Sequence, residues 1–163
     1  NCGVNFVGVG GYGFYLFFLR FAEAYNIPWY IFSDGEQDAI NGVSRAVKKA
    51  LRDESLNIND MDNIFIIPDG NAYEGYITSL DYLDEFKAYH KRHIANTETN
   101  PDAIAGKQRG VDGLTAADYK KKAVDNKTTW ASIMAFAIVE STKSLPPLVS
   151  AMFNKVKEDL TNV

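Results

Sequence analysis

Trp29-Tyr30-Ile31-Phe32-Ser33-Asp34-Gly35-Glu36 is the stretch on which the fold turns. Residues 29–32 are a compact aromatic and β-branched run, the composition of a buried strand. Asn26-Ile27-Pro28 ahead of it stops a preceding helix, because proline disfavours α geometry in the residue before it. Residues 33–36 then read as a loop. Asp38 can cap a helix running to about residue 54, with Ile40, Val43, Val47, Ala50 and Leu51 on its inner face.

Upstream, residues 4–9 alternate and carry enough valine for a short strand, ended by the glycines at 8, 10, 11 and 13. Residues 14–25 place Phe14, Phe17, Phe18, Phe21, Ala22 and Tyr25 at helical spacing, which predicts an inner face, with Arg20 and Glu23 outside. Downstream, residues 64–67 form a third strand, closed by Pro68-Asp69-Gly70. Residues 72–97 turn helical and increasingly charged. Residues 100–113 have loop composition and no clear period. Three helical segments follow over 115–124, 128–142 and 147–160. Strand–helix alternation predicts an α/β fold with a parallel sheet, right-handed crossovers and flanking helices. We expect an α/β core over 1–98 and a helical C-terminal extension over 99–163.

The chain has 163 residues, 46% hydrophobic and 23% charged, ordinary for one globular domain with a proper core. Its net charge of -4 counts against a surface built for nucleic acid by this piece alone. The single cysteine, Cys2, excludes an internal disulfide framework and suits a reducing cytoplasm. No apolar run reaches the roughly 20 residues that span a bilayer, so no membrane partner is expected. Residues 1–13 lack the basic start of a signal peptide. The chain opens without methionine, directly in strand-like sequence, and we expect a missing segment upstream.

In parallel sheets, functional residues collect beyond the carboxyl ends of the strands. Three loops lie there: GVGGYG (8–13), SDGE (33–36) and PDGNAYE (68–74). Asp34 and Glu36 are two residues apart, and Gly35 lets the backbone bend so that both carboxylates aim at one point. Two close carboxylates repel unless a cation neutralises them, and Mg²⁺ prefers oxygen ligands while keeping several waters. The equally available reading is a solvated turn with Asp34 capping the next helix. Asp69 or Glu74 can complete a metal cluster, although a negative charge in a first helical turn, as at Glu74, also simply favours the macrodipole.

Three further features are weaker. GVGGYG matches G-x-G-x-x-G formally, but no acidic ribose reader follows it, so tight packing and turn formation explain it better. Lys127 begins a helix, where its charge opposes the dipole; it is either a solvated lysine or a group that neutralises phosphate. His90 and His93 share a charged helix without a Glu or Cys to finish a zinc site, and read as a solvated face, as does the Lys120–Lys122 run. No P-loop is present, so this chain does not bind ATP in that manner.

The stretch VNFVGVGGYGFYLFFLRFAEAYNIPWYIFSDGE, through Asn26-Ile27-Pro28-Trp29 to Asp34-Gly35-Glu36, resembles the Toprim domain of the OLD-family ATP-dependent nucleases. The resemblance covers residues 1–80, with a loosely fitting helical tail. It implies a Toprim-like, Rossmann-like sheet and metal-dependent DNA endonuclease chemistry. Asp34 and Glu36 take the D-x-D positions that ligate Mg²⁺ or Mn²⁺. Glu74 resembles the later glutamate that begins a helix, and Lys127 the late lysine beside the scissile phosphate. DNA is then the substrate. ATP enters only through an upstream ATPase domain of the same protein, and a homo-oligomer is allowed. Two departures stand out: Glu36 replaces an aspartate, and an earlier glutamate-bearing strand and loop of the family has no counterpart here. The resemblance therefore implies a piece that is inactive or weakly active alone. The alternative is a non-catalytic α/β module for partner binding or oligomerisation, with aromatics near Tyr73, Tyr76 and Tyr82 at its interface.

Overall fold

A computed structural model describes residues 3–10 and 13–161. Cys2, and Gly11 and Tyr12 of the glycine run, lie outside the described residues. The chain divides into two compact units: residues 1–72 with 151–163, and residues 73–150. The first unit is therefore discontinuous in sequence. The expected boundary near residue 98 falls inside the second.

In the first unit, α1 (Tyr15–Ala24) leads to β1 (Ile31–Ser33), α2 (Gln37–Leu51), a short 3-10 turn at Ile58–Asp60 and β2 (Ile64–Ile66). The strands pair in parallel, Ile31 opposite Ile64 and Ser33 opposite Ile66, with α2 as part of their crossover. This is an α/β arrangement in the coarse sense. Among the described residues the sheet has two strands, not three. Residues 4–9 form no strand; they run as a largely exposed segment without regular structure. Their alternation alone does not make a strand, because a strand needs a neighbour to hold its backbone groups.

The core of this unit gathers Leu19, Ile31, Val43, Ala46, Val47 and Ile58. Helix α2 presents the expected inner face, but Glu36 rather than Asp38 is its N-cap, with Asp38 in the first turn. Lys48 and Lys49 complement the dipole in its last turn, and Arg52 ends it in the left-handed region at φ 58°. Of the expected inner face of α1 only Ala22 is buried; Arg20 and Glu23 are exposed as expected, and the aromatic residues are not the inner ones. Leu19 and Ala22 are buried, with Tyr15 and Leu16 packed beside them. Phe14, Phe17, Phe18, Phe21 and Tyr25 point away from this core.

The second unit is helical: α3 (Tyr73–Ser79), α4 (Leu83–Thr97), α5 (Pro101–Asp112), α6 (Ala116–Asp125) and α7 (Lys127–Val139). The segment expected to be one helix from 72 breaks at residues 80–82. The segment expected as loop, 100–113, is helix α5. Asn100 caps it, accepting from the N–H groups of Asp102 and Ala103, and Pro101 occupies the first turn. A Thr115/Asp118 capping box starts α6, and the Asn126 side chain caps α7. Helix α4 packs on α5 and α7, and α3 on α6. Phe86 and Tyr119 are fully buried at the centre, their rings 5.6 Å apart.

Helix α8 (Pro147–Thr161) begins among the last residues of the second unit, and its remainder belongs to the first. There the Tyr30 hydroxyl donates to Asp159 at 2.7 Å, and Lys155 pairs with Asp62 at 2.7 Å and Asp159 at 2.9 Å. Burial, followed by the Asp159 hydrogen bond, pushes the Tyr30 hydroxyl up to about 12. Among the described residues, no helix is long and apolar enough to cross a membrane.

Candidate functional site

The SDGE loop joins β1 to α2 at the carboxyl edge of the parallel pair. Ser33 is buried, Asp34 half-buried, Gly35 buried and Glu36 exposed. Gly35 decides the geometry. Its N–H donates to the Asn71 carbonyl at 2.8 Å, and a Cβ there would lie 1.9 Å from the Ile67 carbonyl oxygen. One bond earlier, the Ile67 N–H donates to the Ser33 carbonyl at 3.0 Å. The backbone of this loop is thus pressed against the end of β2 and the turn that follows, which only glycine permits.

That turn, Pro68 to Asn71, carries Asp69 at φ 61° and Gly70 at φ 68°. Left-handed backbone is tolerated by aspartate better than by most residues. The Asn71 N–H donates back to the Pro68 carbonyl at 3.3 Å, closing the turn. Two acidic loops are therefore laced together by main-chain bonds, as the parallel topology implies. Glu36 makes no capping hydrogen bond with its side chain, although it occupies the N-cap of α2. Two carboxylate side chains on a backbone held this way are hard oxygen donors of the kind Mg²⁺ or Mn²⁺ accepts, with water filling the remaining positions. Among the described residues, no three His, Cys, Asp or Glu side chains gather as a metal centre.

Glu74 and Lys127 belong to the second unit, and there they meet. Glu74 lies in the first turn of α3, Lys127 begins α7, and the ammonium stands 2.9 Å from the carboxylate. The lysine side chain is 69% exposed, so the pair contributes under about 1 kcal/mol. The two residues also line a small, mostly apolar cavity with Ile77, Ala123, Met134 and Ile138. At about 40 Å³ it admits water but not a nucleotide, since ligand pockets run to roughly 300 Å³ or more.

The remaining candidates depart from expectation in part. At Gly8, Gly10 and Gly13 an added Cβ meets nothing within 4 Å, so close packing does not explain these glycines. Gly10, at φ 67°, has a conformational reason. Tyr76 and Tyr82 are buried, not exposed: the Tyr76 hydroxyl accepts from the Leu148 N–H at 3.0 Å, and the Tyr82 hydroxyl donates to the Ser144 carbonyl. Tyr73 is 40% exposed.

His90 is no solvated residue. Its ring stands edge-on to Trp130 at 4.8 Å, and its Nδ1 is hydrogen-bonded to the Tyr119 hydroxyl at 3.2 Å. Lys122, expected as a plain surface charge, lies 5.0 Å over the Trp130 ring. The pattern missed this because α4 is central to its unit, so its charged sequence still needs one covered face. Burial, then Lys122 and then His93, hold His90 below its ordinary value of 6.5. Unfolding returns the imidazole to that value, so protons bind the unfolded chain more readily. Stability from this group is complete above 6.5 and declines as pH falls through it toward the depressed folded value. Thermal unfolding at pH 7.5 and pH 5 should therefore show a larger acid loss for the native chain than for His90→Gln. Equal losses would remove His90 from the account.

No protein-family model, curated protein or solved structure matches the chain.

Proposed function

We propose that the SDGE loop binds a divalent cation, Mg²⁺ or Mn²⁺, and that the chain is the metal-binding part of a DNA phosphodiesterase of the OLD-nuclease type. The observation that carries this reading is the Gly35 interlock. It leaves Asp34 and Glu36 on a stiff loop beside the Asp69 turn, at the carboxyl edge where such sheets do their chemistry. Asp34 and Glu36 would hold the ion. Bound there, a divalent cation supplies Lewis acidity and an acidified water at a phosphodiester. ATP hydrolysis and most DNA contact fall to a domain outside this chain, consistent with the net charge of -4.

The test is calorimetric titration of Mn²⁺ into the 163-residue chain and into Asp34→Ala and Glu36→Ala variants. The native chain should give a binding isotherm, and each variant should weaken it by roughly tenfold or more. Identical isotherms for all three proteins would end the assignment to this loop. A second reading, a non-catalytic interaction module, is favoured by the exposed aromatic face of α1.

A further inference from the structure

Helix α1 is apolar on both sides, and its own unit covers only one. Leu19 and Ala22 are buried in the core beside α2, with Tyr15 and Leu16 against them. On the other side Phe14, Phe17, Phe18, Phe21 and Tyr25 are 62, 69, 38, 52 and 68% exposed. Isolated exposed apolar residues are ordinary, but an unbroken helical stripe of five rings marks an interaction site. The rings are already ordered. Phe17 and Phe18 meet edge-on at 5.3 Å, and Phe21 and Tyr25 lie 4.8 Å apart. A shallow groove runs beside them along Gly13, Leu16, Phe17, Arg20 and Phe21.

We propose that this stripe is the contact face of a homodimer in which α1 packs antiparallel on α1 of a second copy. Area is the first argument. At roughly 200 Å² for a whole aromatic side chain, five rings with these exposures offer on the order of 600 Å². Ile27, 46% exposed just beyond the helix, and the stem of Arg20 bring this toward the ~800 Å² per partner of a standard stable interface. Spacing is the second. Residues 14, 18, 21 and 25 step by four, three and four, which reads the same in both directions. A two-fold axis at the midpoint sets Phe14 against Tyr25 and Phe18 against Phe21, each contact made twice, as an isologous interface requires.

Charge is the third argument. Helix α1 has no acidic residue in its first turn and no basic residue in its last, and Arg20 is its single cation. An anionic lipid surface calls for a row of Lys and Arg on the flanks, which is lacking here. An aromatic centre poor in charge is instead the composition of a protein–protein contact. The inference is independent of the metal reading, since neither Asp34 nor Glu36 lies on this face of α1.

Sedimentation velocity on the 163-residue chain at micromolar concentration tests it. The native chain should sediment at twice the chain mass. Phe17→Glu combined with Phe21→Glu should weaken association by roughly a hundredfold or more, giving a monomer. Both rings are more than half exposed, so the circular dichroism spectrum of the variant should match that of the native chain and its unfolding should stay cooperative, displaced only by the loss of dimer stabilisation. If the double glutamate variant fails to fold, Phe17→Ser with Phe21→Ser replaces it, with the same expectation. A native chain that is monomeric at these concentrations, or a dimer that survives the folded double variant, overturns the proposal. A monomer that floats with phosphatidylcholine vesicles overturns it too, and assigns the stripe to a lipid surface.

Discussion

Gly35→Ala should destabilise the first unit by about 3 kcal/mol, from overpacking plus the strain on two main-chain hydrogen bonds. The added methyl would sit 1.9 Å from the Ile67 carbonyl oxygen and 2.9 Å from its carbon. Both are backbone atoms, so no rotamer change relieves the clash. The loop must lift, and the Gly35 N–H to Asn71 bond at 2.8 Å and the Ile67 N–H to Ser33 bond at 3.0 Å lengthen with it. Urea titration followed by the fluorescence of Trp29 reads this unit, in a Trp130→Phe background that silences the other indole. Under the metal reading, Mn²⁺ affinity falls as the loop lifts. A shift below about 1 kcal/mol, within the range of ordinary surface substitutions and small adjustments, would mean that the two acidic loops are not locked together.

The second large effect belongs to Tyr119. It is 0% exposed, and Phe86, Trp130 and His90 surround it at 5.6, 5.9 and 6.0 Å between ring centres. Tyr119→Ala should cost the second unit about 3–5 kcal/mol, the range for truncating a fully buried aromatic side chain. Tyr119→Phe keeps the ring and removes only the hydroxyl bonded to His90 at 3.2 Å, so it should cost about 1 kcal/mol. Trp130 emission in a Trp29→Phe background follows the transition. Equal effects of the two substitutions would show that ring packing is not what holds this centre.

Several elements could be read from residues alone because their signals are local. The apolar run 29–32 lies between Pro28 and Gly35, and its strand appears as Ile31–Ser33. The inner face of α2 and the parallel partner at Ile64–Ile66 follow in the same way. Other features depend on what lies across space. Residues 4–9 have the alternation of a strand but, among the described residues, pair with no strand. In α1 nearly every turn is apolar on all sides, so periodicity had no power to choose the buried face. Helix α5 buries only Val111 and carries Gly106 and Gly110, so it has little apolar stripe to detect; its Asn100-Pro101 start was the available clue. At the candidate site, Asp34 and Glu36 could be selected from spacing. The meeting of Glu74 with Lys127, and the role of Gly35 against Ile67, needed coordinates.

The discontinuous first unit has a consequence for biosynthesis. Residues 73–150 leave the ribosome as one uninterrupted run and can complete their helical core at once. The unit carrying the acidic loops begins earlier but needs residues from the end of the chain, because the hydrogen bond from Tyr30 to Asp159 closes over 129 residues. Until the last helix has been made, the sheet lacks that support.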